Sequence, residues 1–257
     1  MAGYPMKTFT TKNSVLFIAG IAVLLIVWKI ISVATASNNL VPSPEDTLFT
    51  FLQIAFSKSS MADLFSTVLR GLAGFLIAFV LAFITGILSG WRTGIHAFLK
   101  PLLIVLRSTP VVAFILLLLI WFETDRVPVI IAFITMFPIL YTNITRGMQE
   151  VDTSFKEMIQ VYGLSRMDKL RSVYLPSISA FVFSGASTAL GFGWRAIIIG
   201  EVLSQPVYGI GSRMREAYGY FEVQEVISWA ILAVLLSFVF DILLSGLEKY
   251  TVAWKRA

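Results

Sequence analysis

Six stretches of this sequence are too long and too apolar to fold against a water-facing core. They cover residues 15–33, about 64–90, 101–122, 127–145, about 178–200 and 226–246. A helix needs roughly 20 mostly apolar residues to cross the hydrocarbon layer of a bilayer, and the six stretches have about that length. Hydrophobic residues make up 57% of the 257-residue chain and charged residues 14%. A soluble domain carries roughly 45–50% and about 25%, so the surplus apolar surface needs lipid as its solvent. The expectation is an all-α, polytopic membrane protein with about six transmembrane helices.

The first stretch has a second reading. Lys7 and Lys12 precede it and Ala34-Thr35-Ala36 follows, the layout of a cleavable signal peptide. Its 19 residues exceed an ordinary signal core, and everything after it is membrane-embedded too. It is therefore expected to stay as a transmembrane helix.

Lysine and arginine in the connecting segments give a direction. With the N-terminus in the cytoplasm, twelve fall inside: Lys7, Lys12, Arg92, Lys100, Arg146, Lys156, Arg166, Lys169, Arg171, Lys249, Lys255 and Arg256. Four fall outside (Lys58, Arg126, Arg213 and Arg215), and Lys29, Arg70, Arg107 and Arg195 sit in or at the edges of spans. That bias places both termini in the cytoplasm. The net charge of +5 thus reports orientation, not nucleic-acid binding.

The residues available for chemistry are few. Cysteine is absent and His96 is the single histidine, placed in a cytoplasmic turn and expected at the surface. Neither a thiol nucleophile nor a histidine metal centre can be built, and no metal site is expected. An intramembrane enzyme would have to work with Asp241, Glu201 and scattered hydroxyls. Gly is never followed by Lys, so the phosphate-binding loop of an ATPase is missing and no cofactor is expected on this chain.

Within the spans, Gly86 and Gly90 form a pair that suits close helix packing, or simply reflects how common glycine is in membrane helices. Arg107-Ser108-Thr109-Pro110 interrupts the third stretch. A proline removes a helix hydrogen bond and an arginine is costly in hydrocarbon. The interruption fits a kink turned to the protein interior or a break lining a pathway. Arg195 and Glu201, six residues apart near the end of the fifth span, fit a gate, a substrate-facing site or a structural pair. Trp194 beside them fits interfacial anchoring as well. Asp241, inside the sixth span, fits a functional acid or an internally paired one.

The connection between the fourth and fifth stretches differs from the rest. Phe155, Met158, Ile159 and Tyr162 recur at three- and four-residue spacing, as on one helix face. Asp152 or Ser154 suits the start of that helix and Gly163 its end. A second short helix is expected over 166–174, and Pro176 suits the first turn of the fifth span. An amphipathic helix facing the cytoplasm needs either a partner surface or the headgroup layer.

The residues of this connection resemble the "EAA" loop of ABC importer permeases. Glu157-Met158-Ile159, three residues, Gly163, nine residues, Val173, one residue and Leu175-Pro176 keep that loop's spacing. Met158 and Ile159 replace its two alanines, and Val173 replaces an isoleucine. The wider chain resembles the nitrate/sulfonate/taurine-type branch of these inner-membrane proteins over roughly 65–250. Arg70 through Gly74-Phe75, Arg107-Ser108-Thr109-Pro110, Trp121-Phe122, Phe137-Pro138-Ile139-Leu140 and Asn143 carry that likeness. So do Ala189-Leu190-Gly191, Trp194, Glu201 and Gly209-Ile210-Gly211.

The resemblance implies a division into residues 1–63 (N-terminal segment, first helix and external connection), 64–250 (permease module) and 251–257 (cytoplasmic tail). It implies a cytoplasmic coupling helix between helices 4 and 5 that docks on an ABC ATPase. Phe155, Met158, Ile159 and Tyr162 would fill the ATPase groove. Glu157 would make polar contacts, Gly163 would shape the turn, and Leu175-Pro176 would join the helix to the fifth span. Two ATPase subunits would carry ATP and Mg. A second permease copy, in a homodimer or with a related chain, would complete the pore. An external substrate-binding protein would deliver a small anionic solute. Arg107, Pro110, Trp194, Arg195 and Glu201 are the candidate pathway or gate residues. A secondary transporter or channel driven by an ion gradient would also explain six spans, though not the loop spacing.

Overall fold

The computed structural model describes residues 11–35, 40–151 and 165–252. All regular structure among them is helical: α1 (Thr11–Thr35), α2 (Pro44–Ala55), α3 (Lys58–Trp91), α4 (Thr93–Ser108), α5 (Val111–Trp121) and α6 (Val127–Gln149) come first. A short helical turn (Arg166–Lys169) and a π-helical turn (Leu170–Tyr174) then lead into α7 (Leu175–Ser204), followed by α8 (Ile210–Gly219) and α9 (Val223–Val252). Five helical segments are long and apolar enough to cross a bilayer, or six if the bent pair α4–α5 counts as one span.

The centre of the bundle is α6, packed between α3 and α7. Of its most apolar window 61% is buried within the protein, against 6% for α1. Small residues allow the close approach of α3 to α6. A Cβ on Gly74 would lie 2.4 Å from the Cβ of Ala132, and one on Gly90 would lie 2.2 Å from that of Met148. Gly86 meets Ile144 in the same way, so the Gly86/Gly90 pair is a helix-packing face. The core so formed contains Ala78, Ala82, Met136, Leu140, Tyr141, Ile144, Ile178, Ala189 and Trp194.

The third apolar stretch is broken. At Ser108-Thr109-Pro110 the axis turns by 99° between α4 and α5. Pro110 takes the N-cap position of α5, and its ring cannot continue the hydrogen bonding of α4. Arg107 holds the corner against α6 by donating to the carbonyl oxygen of Pro138 at 2.8 Å and to the Thr142 hydroxyl. At about 24 Å and about 17 Å, neither α4 nor α5 reaches across the ~30 Å hydrocarbon layer by itself.

Two helices lie outside the apolar stretches. In α2, Ser43 accepts the Asp46 N–H at 3.2 Å, and Pro44 occupies the first turn, as helix starts favour. Thr47 is buried, and its carbonyl accepts from Ser228 of α9 at 3.2 Å. In α8, Ile210 and Ala217 face inward against α7 and α9. α1 is peripheral, tied near its end by Trp28 Nε1 donating to Pro42 O at 3.0 Å and by Lys29–Glu45 at 2.9 Å. The Lys29 ammonium holds the Glu45 carboxyl below the usual carboxylate range. Both partners are exposed, so the pair adds little stability.

His96 is not a free surface residue. It lies on α4, partly buried, with its ring stacked on Tyr141 at 6.1 Å and Nδ1 3.0 Å from the Tyr141 hydroxyl.

Candidate functional site

Glu201 anchors one end of the bundle. Its side chain is fully buried in the last turn of α7, where an uncompensated carboxylate would be costly. Three donors meet it. Thr67 Oγ1 lies 3.0 Å from both carboxylate oxygens, Gly211 N–H donates at 3.0 Å and Arg70 Nη1 at 2.7 Å. Arg70 also donates to the Tyr208 carbonyl at 2.6 Å and reaches Asp125, between α5 and α6, at 2.5 Å. Beside it, buried Asp63 accepts from Gly209 N–H and from Arg213 Nε, each at 3.0 Å. The network therefore ties α3, the α5–α6 connection, α7 and α8 into one unit.

The turn after α7 is shaped to deliver those backbone donors. Gln205 adopts a left-handed conformation and closes the helix on the Glu201 carbonyl. Gly209 has φ +152, and a Cβ there would lie 2.7 Å from the Glu201 carboxyl carbon. Only glycine permits both that backbone and that approach.

Arg195 and Glu201 do not pair, because a six-residue step turns about 120° away around a helix. Arg195 instead sits about 14 Å inside the Glu201 end of α7, exposed, with no hydrogen-bond or ion-pair partner among the described residues. It opens on a cavity of about 490 Å³ between α7 and α9, lined also by Ser187, Gly191, Trp194, Ser237 and Asp241. Asp241 accepts from Ser187 Oγ at 2.8 Å across that groove. Trp194 is 1% exposed, packed on Phe240 at 4.7 Å, with its indole N–H unpartnered among the described residues. It lies in the core, where it limits the cavity rather than anchoring at an interface.

One face of α7 is both exposed and polar: Ser184, Thr188, Gly191 and Arg195 follow at steps of four, three and four. Exposed positions on α3 are apolar by contrast, among them Leu76, Ile77, Val80, Leu81 and Ile84. Polar groups at membrane depth face protein or water rather than lipid.

The sequence pointed to Glu201, Arg195 and Trp194, and Arg70 stood out as an in-span charge. It did not point to Thr67, Asp63 or Arg213 as their company, nor to the α7 stripe. The stripe had a readable signal in the four-three-four spacing; the network partners, more than a hundred residues apart, had none. Leu175 and Pro176 begin α7, with Pro176 in its first turn. Phe155, Glu157, Met158, Ile159, Tyr162 and Gly163 lie outside the described residues, as do Asp152 and Ser154. The short helix expected over 166–174 is present, its second half as the π turn.

The family model for the binding-protein-dependent transport system inner membrane component matches residues 78–254. The chain belongs to that family. SsuC of Escherichia coli, whose name assigns it to transport of aliphatic sulfonates, is 32% identical over 90% of this permease and 88% of its own length. The nitrate import permease protein NrtB of Synechocystis is 29% identical over 90% and 87%. The fold matches a chain of the inward-facing MetNI methionine ABC transporter, with TM-score 0.59 and 16% identity over 76% of this permease and 94% of that chain.

The permease is therefore a transport subunit of an ABC importer, multi-pass in the inner membrane, and not an enzyme. Permeases of this kind work with separate ATPase subunits and a substrate-binding protein.

Proposed function

We propose that the permease forms half of a pathway for a small anion, with two identical copies placing their α7 polar faces across a shared, water-filled passage. The observation that carries this reading is Arg195. It is an exposed cation whose side chain has no partner among the described residues, well inside α7, on a stripe of small residues and at the mouth of a cavity. A cation at that depth is costly unless water, protein or a counter-charge meets it, and a transient anion would be such a counter-charge. Relatives named for sulfonates and nitrate support an anionic solute. The broken α4–α5 pair supports the same reading, since interrupted helices are tolerated where they line protein or water.

In this proposal both termini face the cytoplasm, as does the connection carrying Glu157 and Gly163. The external substrate-binding protein loads the Glu201 end. ATP and Mg are held by two ATPase subunits that grip Phe155, Glu157, Met158, Ile159 and Tyr162. The test is Arg195→Gln in vesicles with ATPase and binding protein. Uptake of the anion is expected to fall about tenfold or more, the loss of one charge interaction at low dielectric, while ATP hydrolysis continues. Unchanged uptake removes Arg195 from the pathway.

A further inference from the structure

At the opposite end of the bundle from Glu201, a second cavity of about 550 Å³ is lined by Leu88, Trp91, Arg92, Ile95, Lys169 and Tyr174. Two of its walls are cations, and neither the Arg92 nor the Lys169 side chain has a hydrogen-bond or ion-pair partner among the described residues. Of the other described cations that line a cavity, Arg213 is paired with Asp63 and Glu216 and Lys29 with Glu45, Arg215 lies over the Tyr218 ring, and Arg195 faces the cavity between α7 and α9. The remaining walls are apolar or aromatic, and Trp91 meets Tyr174 edge-on at 5.7 Å.

The chain builds this cavity by two local devices. Arg92 is the extended corner between α3 and α4, with its N–H closing on the Leu88 carbonyl. On the facing side, the π turn closes the Leu175 N–H on the Leu170 carbonyl, five residues back. That wider turn brings Lys169 and Tyr174, also five apart, to line the same space. π turns of this kind recur at functional sites.

An apolar track leads to it. Ile77, Leu81, Ile84 and Leu88 are exposed at steps of four, three and four along α3, and Leu88 forms the cavity wall below Arg92. An exposed apolar stripe thus ends at two cations unpaired among the described residues and flanked by Trp and Tyr, the residue types that settle at the level of lipid headgroups. Basic pockets at the cytoplasmic side of membrane helices take anionic headgroups.

We propose that this cavity binds a phosphate group between Arg92 and Lys169, supplied by an anionic lipid whose acyl chain runs along Ile77, Leu81, Ile84 and Leu88. Its leaflet assignment rests on the cytoplasmic orientation proposed above; the binding itself does not. The headgroup joins the α3–α4 corner to the π turn that immediately precedes Leu175-Pro176. Lipid occupancy therefore braces the segment through which the loop containing Glu157 re-enters the membrane.

The test is native mass spectrometry of the full-length protein with phosphatidylglycerol, phosphatidylcholine and inorganic phosphate as separate probes. Phosphatidylglycerol is expected to be retained over phosphatidylcholine, and Arg92→Gln/Lys169→Gln to weaken its retention by about tenfold or more, two surface cations being lost. Lys58→Gln/Arg126→Gln, which removes two cations elsewhere, is expected to leave it unchanged. Competition by inorganic phosphate at equal concentration would assign the site to a free anion and overturn the lipid. Equal retention by wild type and the Arg92/Lys169 variant overturns the site altogether. So does a variant that keeps the lipid but loses its ATPase subunits, which would make the two cations a protein contact. A single cysteine at Ser165 in this cysteine-free chain reads the orientation separately. Labelling only from the external face would overturn the leaflet and leave the retention result standing.

Discussion

A carboxylate with no exposure at all, in the last turn of a membrane helix, exists here only because Arg70, Thr67 and the Gly211 N–H converge on it. The Arg70 side chain is 11% exposed, so losing Arg70 strands the Glu201 charge, and losing Glu201 leaves Asp125 as the counter-charge of Arg70. Glu201→Gln keeps the shape and a hydrogen-bonding group but removes the buried counter-charge of Arg70, leaving it the exposed Asp125. A loss of about 3 kcal/mol is expected, as for breaking a buried ion pair from one side. Thermal unfolding in detergent measures it, with Arg195→Gln as the exposed comparison expected to shift little. At this scale the sequence was half legible. Arg70 and Glu201 stand out because charges in apolar stretches need partners. Which partners they find depends on a contact spanning 131 residues, and no local pattern encodes that. A structural pair was one of several readings open for Arg195 and Glu201, and helical rotation rules it out.

Helices of twenty or more apolar residues were legible because their length is set by the bilayer itself. α2 and α8 were not. They are 12 and 10 residues long, with only Thr47 buried in α2 and Ile210, Gly211 and Ala217 in α8, so their periodicity is carried by a few side chains. Ser43-Pro44 does mark the start of α2 once it is sought. The interruption at Arg107–Pro110 was legible as a break but not as a turn of 99°; the angle comes from Arg107 reaching back to Pro138 and Thr142 on α6. The contrast between α7 and α3 carries a prediction of its own. Thr188→Cys, on the polar face of α7, is expected to react with a membrane-impermeant thiol reagent once the importer is assembled and cycling. Ile84→Cys, on the apolar face of α3, is expected to stay protected by lipid. Equal protection of both would place the α7 face against protein or lipid and not against water.

The whole molecule is a bundle whose two ends do different work. At one end a buried ionic network fixes α3, α7, α8 and the α5–α6 connection together, so that they move as a body. At the other, a short helical turn and a π turn lead from the loop containing Glu157 into α7. Glu157→Lys, which reverses one charge on that loop, is expected to lower ATP-driven uptake and ATPase co-purification severalfold while membrane insertion stays intact. Wild-type values for both would remove the loop from coupling. Family and fold were legible at this scale because the loop's spacing from Glu157 to Leu175-Pro176 is a linear pattern. The number of copies was not, since one chain's order of residues carries no local pattern for what it assembles with. Motion in this bundle is expected to be driven by ATP bound to separate subunits. The direct measurement is solute uptake into vesicles holding the permease, its ATPase and its binding protein, with all ion gradients collapsed. Uptake that appears only when ATP is added is the expected result; uptake that ignores ATP and follows an imposed ion gradient would contradict the account.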